Sequence, residues 1–318
     1  MIGAAMVLAA GRGERMRPLS DALPKPALPL LDEPVVASPI RLAVAAGAPH
    51  VVVNTWHLAD EMAAALSEIE VPAEVIVSRE GQLMGTAGGL AVARDRGLLG
   101  TTGPVLVVNG DGRLDLDVGP VLRRFSAGDV DVALALLPHL DPQRWSRVLL
   151  DDSGRVRRIE PPGRPGGGEA PFLYPGVMAV SRPALDGLAA GPGEIPERLW
   201  RPALAIGRLA GVVVSGHWRE IGTPEAYLEA ALGRLGGRLM VHPSATIHPG
   251  ASVASSLVGR DAVVEAGAVV TSSVVAHGAV VGRGARVTGS VLLGAGAARA
   301  DERLEGAFRG ARRPPRRR

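Results

Sequence analysis

Aliphatic runs of strand length alternate with longer stretches in which apolar residues recur every third or fourth position through the first half of this 318-residue chain. Residues 3–8, 50–54, 74–78, 105–109 and 131–137 read as strands, and 35–46, 58–66, 86–96 and 118–125 as helices. Strand and helix in alternation predict an α/β fold with a mostly parallel sheet covered on both faces. Ligands bind such sheets outside the carboxyl ends of the strands. The loops that begin near Ala9, Ser78 and Gly110 are therefore where chemistry is expected. From about Arg155 the strands shorten, to 155–160, 173–180 and 209–214, with Gly and Pro between them. A helix follows, opened by Thr223 as a cap with Pro224 in its first turn and closed by Gly236 and Gly237.

Beyond that helix the pattern repeats. SATI at 244–247, GASV at 250–253, DAVV at 261–264, GAVV at 267–270 and 278–281, and GARV at 284–287 end on aliphatic residues spaced by 6, 11, 6, 11 and 6. The triplets SLV, SVV and SVL begin at Ser256, Ser273 and Ser290, 17 residues apart. One coil is thus about three short strands joined by glycine-containing corners, and stacked coils bury a core that none could bury alone. The pattern resembles the hexapeptide-repeat left-handed β-helix, with three coils over residues 241–297. The expected organisation is a first domain over 1–237, a short left-handed parallel β-helix over 238–300, and a basic tail of disordered composition over 301–318.

The absence of cysteine removes disulfides, a Cys zinc site and a thiol nucleophile, and fits a cytoplasmic setting. The formal charge is +3, but the final eight residues, ARRPPRRR, hold five arginines, and without them the balance is 3 − 5 = −2. The basic character belongs largely to the tail, which argues against nucleic acid as a partner. The stretch IGAAMVLAA lacks a basic leader and reads as a strand rather than a signal peptide. No run of about 18 apolar residues predicts a membrane span.

The first loop, LAAGRGERMRPLSDALPKP, carries the densest candidate chemistry. Gly11 and Gly13 directly after a strand let backbone N–H groups approach a phosphate. A dinucleotide fingerprint would need a third glycine where Met16 stands, and prolines at 18, 24 and 26 keep a helix from following. The loop is expected to stay extended and to place Arg15 and Lys25 around bound anions. Lys25 is the only lysine among 35 basic residues. An ammonium is a compact point charge that reaches one oxygen in a crowded pocket where a guanidinium fork does not, although chance would also leave one lysine somewhere. Asp111 closes the strand VLVVN at the sheet's carboxyl edge and is a ready Mg²⁺ ligand. Asp115 and Asp117 read better as solvated turn or helix-entry residues.

The segment LAAGRGERMRPLSDALPKPALPL, followed in order by GTAGGL at 85–90, VVNGD at 107–111 and HWREIGTPEAYLEA at 217–230, resembles the signature set of sugar-phosphate nucleotidylyltransferases. VVNTWHLADEM at 51–61 is similar to bacterial mannose-1-phosphate guanylyltransferases and muramate-type uridylyltransferases. Together with the repeat, the likeness covers nearly the whole chain. It implies a Rossmann-like nucleotidyltransferase domain, a nucleoside triphosphate and a sugar 1-phosphate as substrates, Mg²⁺ as cofactor, and a product of GDP-mannose type. By the same resemblance Leu8, Ala9, Ala10, Gly11 and Gly13 wrap the nucleotide, and Gly85, Thr86 and Gly88 meet its base. Arg15 and Lys25 hold the phosphates and join Asp111 as catalytic residues. Glu160 and Gly176 face the sugar phosphate, and Asp111 and Glu220 bind the metal.

The chain departs from that pattern in places. Glu220 stands where the family's WxDIGTP motif has Asp. RIEPPGR supplies Glu160 and Pro161 where relatives carry E-K-P, leaving Arg158 or Arg164 to compensate, and Tyr174-Pro175-Gly176 replace N-T-G. His217 and Trp218 flank the second metal acid, where they either line the pocket or pack. Two other readings follow: a different pair, UTP or dTTP with glucose- or N-acetylmuramate 1-phosphate, or a catalytically weak homologue that senses a sugar nucleotide. Acetyl transfer with His242, His248 or His277 as base is opposed by positions that suit exposed corners of a short β-helix. Exposed end coils predict a homo-oligomer assembled through residues 241–297.

Overall fold

The aliphatic runs of the first half pair largely as their alternation predicts. Ala4–Leu8 lies between Val105–Asn109 and His50–Thr55, parallel to both, and Glu74–Arg79 adds in parallel beyond. Ala4, Ala5, Met6 and Val7 are fully buried, as expected of a central strand with both faces covered. Val177–Val180 runs antiparallel between Val105–Asn109 and Val132–Pro138, and shorter strands extend the sheet to ten. The computed structural model describes residues 2–139, 141–163 and 170–312. The described residues fall into two compact units, one drawn from 2–11, 38–56 and 70–219 and the other from 12–37, 57–69 and 220–312.

In the first unit the single strand expected over 173–180 is two, Phe172–Leu173 and Val177–Val180. Pro175 offers no N–H to a ladder, and Gly176 takes φ 89°, so the chain turns between them. Gly112–Leu116 is a strand the periodicity did not predict; it alternates buried and exposed residues and sends Arg113 and Asp115 outward. Asp117 follows as a helix-entry residue, its Oδ1 accepting from Gly119 N at 3.0 Å.

The second unit corrects the expectation of an extended loop. Residues 14–28 fold into three short 3₁₀ turns, Glu14–Met16, Leu19–Asp21 and Lys25–Ala27. Prolines that forbid a long helix are compatible with single turns of this kind. The driving force is apolar: Met16, Leu19, Leu23 and Leu28 join Ile221, Tyr227, Leu235, Val291 and Leu293 in one core. Tyr227 lies on the helix Pro224–Leu235, which Thr223 caps through Ala226 N and Gly236 ends at φ 57°. Burial pushes its phenol pKa far up, and the hydroxyl donates to Pro29 O at 2.5 Å.

The repeat stacks as three all-parallel sheets, the arrangement of a left-handed β-helix, in steps of 17 residues. Val253, Val270, Val287 and Leu304 align in one column, and Val274, Val291 and Phe308 in another. The stack therefore continues past the three coils and past residue 300. Arg303–Glu305 and Phe308–Ala311 are paired strands where a tail was expected. Arg309 bonds Glu302 at 2.7 Å and, with this the largest cause, holds that carboxyl at about 2. Arg312 reaches Glu61 at 2.8 Å. The tail beyond residue 312 lies outside the described residues.

The 17-residue serine spacing has a physical cause. Ser256, Ser273 and Ser290 are fully buried. Each Oγ donates to the carbonyl two residues before it and accepts the N–H of the residue 17 later, at 3.0–3.1 Å. Ser273→Ala strips Ser290 N–H of that acceptor inside the stack. It is expected to lower stability by about 1–3 kcal/mol, read as a lower urea midpoint at unchanged slope. Among the described residues no helix is long and apolar enough to cross a membrane.

Candidate functional site

At the carboxyl end of the central strand in the first unit, close backbone packing sets the position of Asp111. Gly110 N donates to Leu8 O at 2.9 Å, and a Cβ on Gly110 would sit 2.8 Å from that same oxygen. On its other side Asn109 N donates to Gly176 O at 2.8 Å, and a Cβ on Gly176 would meet the Asn109 side chain at 2.8 Å. Only glycine fits either position. Leu8, Gly176 and Asp111 are thus brought together by strand pairing, with Ala9, Ala10 and Gly11 continuing from Leu8. Ala9 and Ala10 are buried, while Gly11 is exposed. A Cβ on Gly11 would meet nothing within 4 Å. Neither packing nor a left-handed conformation requires glycine there, which leaves room for a ligand over the backbone.

The GTAGGL motif behaves differently. Gly85 takes φ 72°, and a Cβ on it would lie 2.6 Å from Gly193 O; one on Gly88 would lie 2.8 Å from Gly191 O. Thr86 Oγ1 donates to Glu194 Oε2 at 2.6 Å and accepts from Ile195 N at 2.9 Å. These residues seat the helix Gly85–Asp95 against the 191–195 stretch. The Thr86 hydroxyl is committed to that contact.

Glu160 is held by Arg147 and by Arg158, the latter at 2.8 Å. Arg158, one of the two candidates for the missing lysine's role, is therefore engaged with Glu160; Arg164 lies outside the described residues. Two buried polar residues escaped the sequence reading. Asn54 and Glu80 end neighbouring strands, 2% and 8% exposed, and their hydrogen bonds run from Ala9 to Met84. Burial is the largest influence on the Glu80 carboxyl and pushes its pKa up.

The second unit carries the cations. Gly13 adopts φ 64°, and its missing Cβ would approach Ser20 Cβ at 3.2 Å and Lys25 Cβ at 3.4 Å. Ser20 Oγ donates to Gly13 O at 2.8 Å, closing the turn. Lys25 is 7% exposed. Arg15, by contrast, is an exposed guanidinium that donates to Glu220 Oε1 at 3.1 Å.

The family model described as Nucleotidyl transferase matches residues 4–235. The chain belongs to the nucleotidyl transferase family. The chain is 26% identical over 233 residues to mannose-1-phosphate guanylyltransferase 1 of Arabidopsis thaliana, covering 70% of this chain and 62% of that protein's length. It is 28% identical over 280 residues to mannose-1-phosphate guanylyltransferase of Mycobacterium tuberculosis, covering 81% of this chain and 75% of that protein. The crystal structure of HddC from Yersinia pseudotuberculosis, complexed with GMP-PN, shares the fold. Its TM-score is 0.60 at 20% identity, over 74% of this chain and all of that one.

Among the described residues, no three His, Asp or Glu side chains gather as a metal-holding group. Magnesium needs fewer, since one or two carboxylates combine with substrate phosphates and water. Asp111, partly buried at the strand end, offers the hard oxygen donor that ion takes. Glu220 offers the same chemistry, with one oxygen shared with Arg15. The repeat histidines occupy corners: His277 has φ 53°, and His242 Nδ1 lies 2.9 Å from Ser244 Oγ. Trp218 packs edge-on to Trp145, centroids 5.3 Å apart, with its Nε1 3.2 Å from the Cβ position of Gly112.

Proposed function

We propose that this chain transfers a nucleoside monophosphate from a nucleoside triphosphate to a sugar 1-phosphate, in a reaction of GDP-mannose type. A phosphate oxygen of the sugar phosphate attacks the α-phosphorus of the triphosphate. The bond from that phosphorus to the bridging oxygen breaks, and pyrophosphate leaves. The chain's task is to bring two polyanions together in line, which takes positioning and charge neutralisation rather than a covalent intermediate. The Leu8–Gly11 backbone and Gly13 receive the nucleotide, with Gly85, Thr86 and Gly88 framing the base side. Arg15 and Lys25 neutralise phosphate charge. Asp111, with Glu220, would hold Mg²⁺, which when bound supplies further charge neutralisation at the phosphates. Glu160 and Gly176 stand on the sugar-phosphate side.

One observation supports this reading most: Gly110 is locked to the Leu8 carbonyl, so the acid and the open-faced glycine loop share one end of the sheet. The test is pyrophosphate release from GTP, UTP and dTTP, each paired with mannose, glucose and N-acetylmuramate 1-phosphates, in the presence of Mg²⁺. GTP with mannose 1-phosphate is expected to turn over fastest. Tight nucleotide binding without release from any pair would replace the enzyme by a sugar-nucleotide sensor.

A further inference from the structure

Three loops leave the carboxyl ends of Ala4–Leu8, His50–Thr55 and Glu74–Arg79, and two buried side chains tie them together. Asn54 Oδ1 accepts the Ala9 N–H at 2.7 Å. Asn54 Nδ2 donates to Glu80 Oε1 at 2.7 Å, and Glu80 Oε2 accepts the Met84 N–H at 3.3 Å. Glu80 N donates to Thr55 O at 2.8 Å, so the backbone repeats the link. Gly89 makes room for the pair, because a Cβ there would fall 2.5 Å from Glu80 Oε1 and 2.6 Å from Asn54 Nδ2.

Burying a carboxyl is a poor route to stability, since apolar side chains of the same size usually do as well or better. What the pair provides is direction. The Asn54 amide has one workable orientation, oxygen toward Ala9 and nitrogen toward Glu80; the reverse would set donor against donor and acceptor against acceptor. The chain just before Gly11 and the turn that opens GTAGGL are thereby held in one relative placement, by groups that face away from solvent.

We propose that Asn54 and Glu80 are positioning residues for the nucleoside triphosphate, fixing the Ala9–Gly11 backbone and the Met84–Gly85 turn so that both engage the same nucleotide. The proposal rests on the nucleotidyl-transfer reading above. It concerns the triphosphate and not the sugar phosphate, and it makes the pattern of donors and acceptors matter rather than either residue alone.

That pattern can be exchanged. Glu80→Gln places an amide nitrogen against either Asn54 Nδ2 or the Met84 N–H, losing one bond whichever way it turns. Asn54→Asp sets two carboxyls against each other. Combined, the two substitutions restore every bond: the carboxylate introduced at position 54 accepts from the Ala9 N–H and from the amide introduced at position 80, whose oxygen accepts from Met84. The full-length wild type, both single variants and the double variant are titrated calorimetrically with GTP, UTP and dTTP in Mg²⁺, and the KM of each substrate is measured for the active pair. Each single variant is expected to weaken triphosphate binding about 10-fold or more, with the KM of the sugar 1-phosphate moving less than about 2-fold. The double variant is expected to recover to within about 3-fold of wild type. Single variants that bind like wild type, or a double variant no better than the worse single, overturn the proposal while leaving the reaction standing. A wild type that binds none of the three triphosphates overturns both.

Discussion

Lys25→Met is expected to lower kcat/KM about 100-fold with the melting temperature close to wild type. The lysine stem is buried in the turn between Pro24 and Pro26, where Gly13 leaves the room for its Cβ. Methionine keeps most of that stem's apolar contact and removes the ammonium with its charge and N–H donors. Two polyanionic substrates cannot approach unless cations meet them, so the loss should fall on turnover rather than on folding. Lys25→Arg is the sharper variant. The guanidinium keeps the charge but spreads it over a planar fork at a buried position, and most of the same activity should be lost, with some stability lost to overpacking. Wild-type rates in the arginine variant would return the chain's lone lysine to accident.

Asp111→Asn is expected to cost still more, about 100- to 1000-fold in kcat, together with a higher Mg²⁺ concentration at half-maximal rate. Asparagine preserves the shape and one acceptor oxygen but not the charge that draws a hard cation. The two residues just before it are held by strand pairing, Asn109 to Gly176 and Gly110 to Leu8, so the fold should not register the change. Steady-state rates across a Mg²⁺ series separate this from a structural effect. A normal kcat at normal Mg²⁺ would remove Asp111 from the chemistry.

The parts of the molecule that could be read in the sequence are those where one residue type repeats for one physical reason. Strands with both faces covered must be apolar through their buried length, and AAMVL and the VLVV of VLVVN are. The coil stack must place an aliphatic residue every 17 positions, and it does. Where several constraints overlap, the signal fades. DERLEGAFRG keeps the 17-residue step at Leu304 and Phe308, but charges at 301–303, 305 and 309 made it look like solvent-facing tail. Gly112–Leu116 was hidden by its outward-facing charges. Asn54 and Glu80 were invisible because one amide and one carboxylate at strand ends carry no period; only their shared burial singles them out. The compact first loop is hard to read because its prolines signal an extended chain, while the core that buries Met16, Leu19 and Leu28 draws on residues far along the sequence, such as Tyr227 and Val291.

The terminal coil has a consequence for how the protein is made. The backbone at Gly310 lies against Pro18 and Leu19, and that at Gly294 lies close to Ala22, so the turns preceding Lys25 rest on the last strands of the stack. During synthesis those turns leave the ribosome first, and the surface beneath them is translated about 270–290 residues later. Contacts so distant in sequence form slowly. The turns before Lys25 cannot reach their final packing until residues 294–310 have been translated, whatever structure the intervening sheet has already acquired.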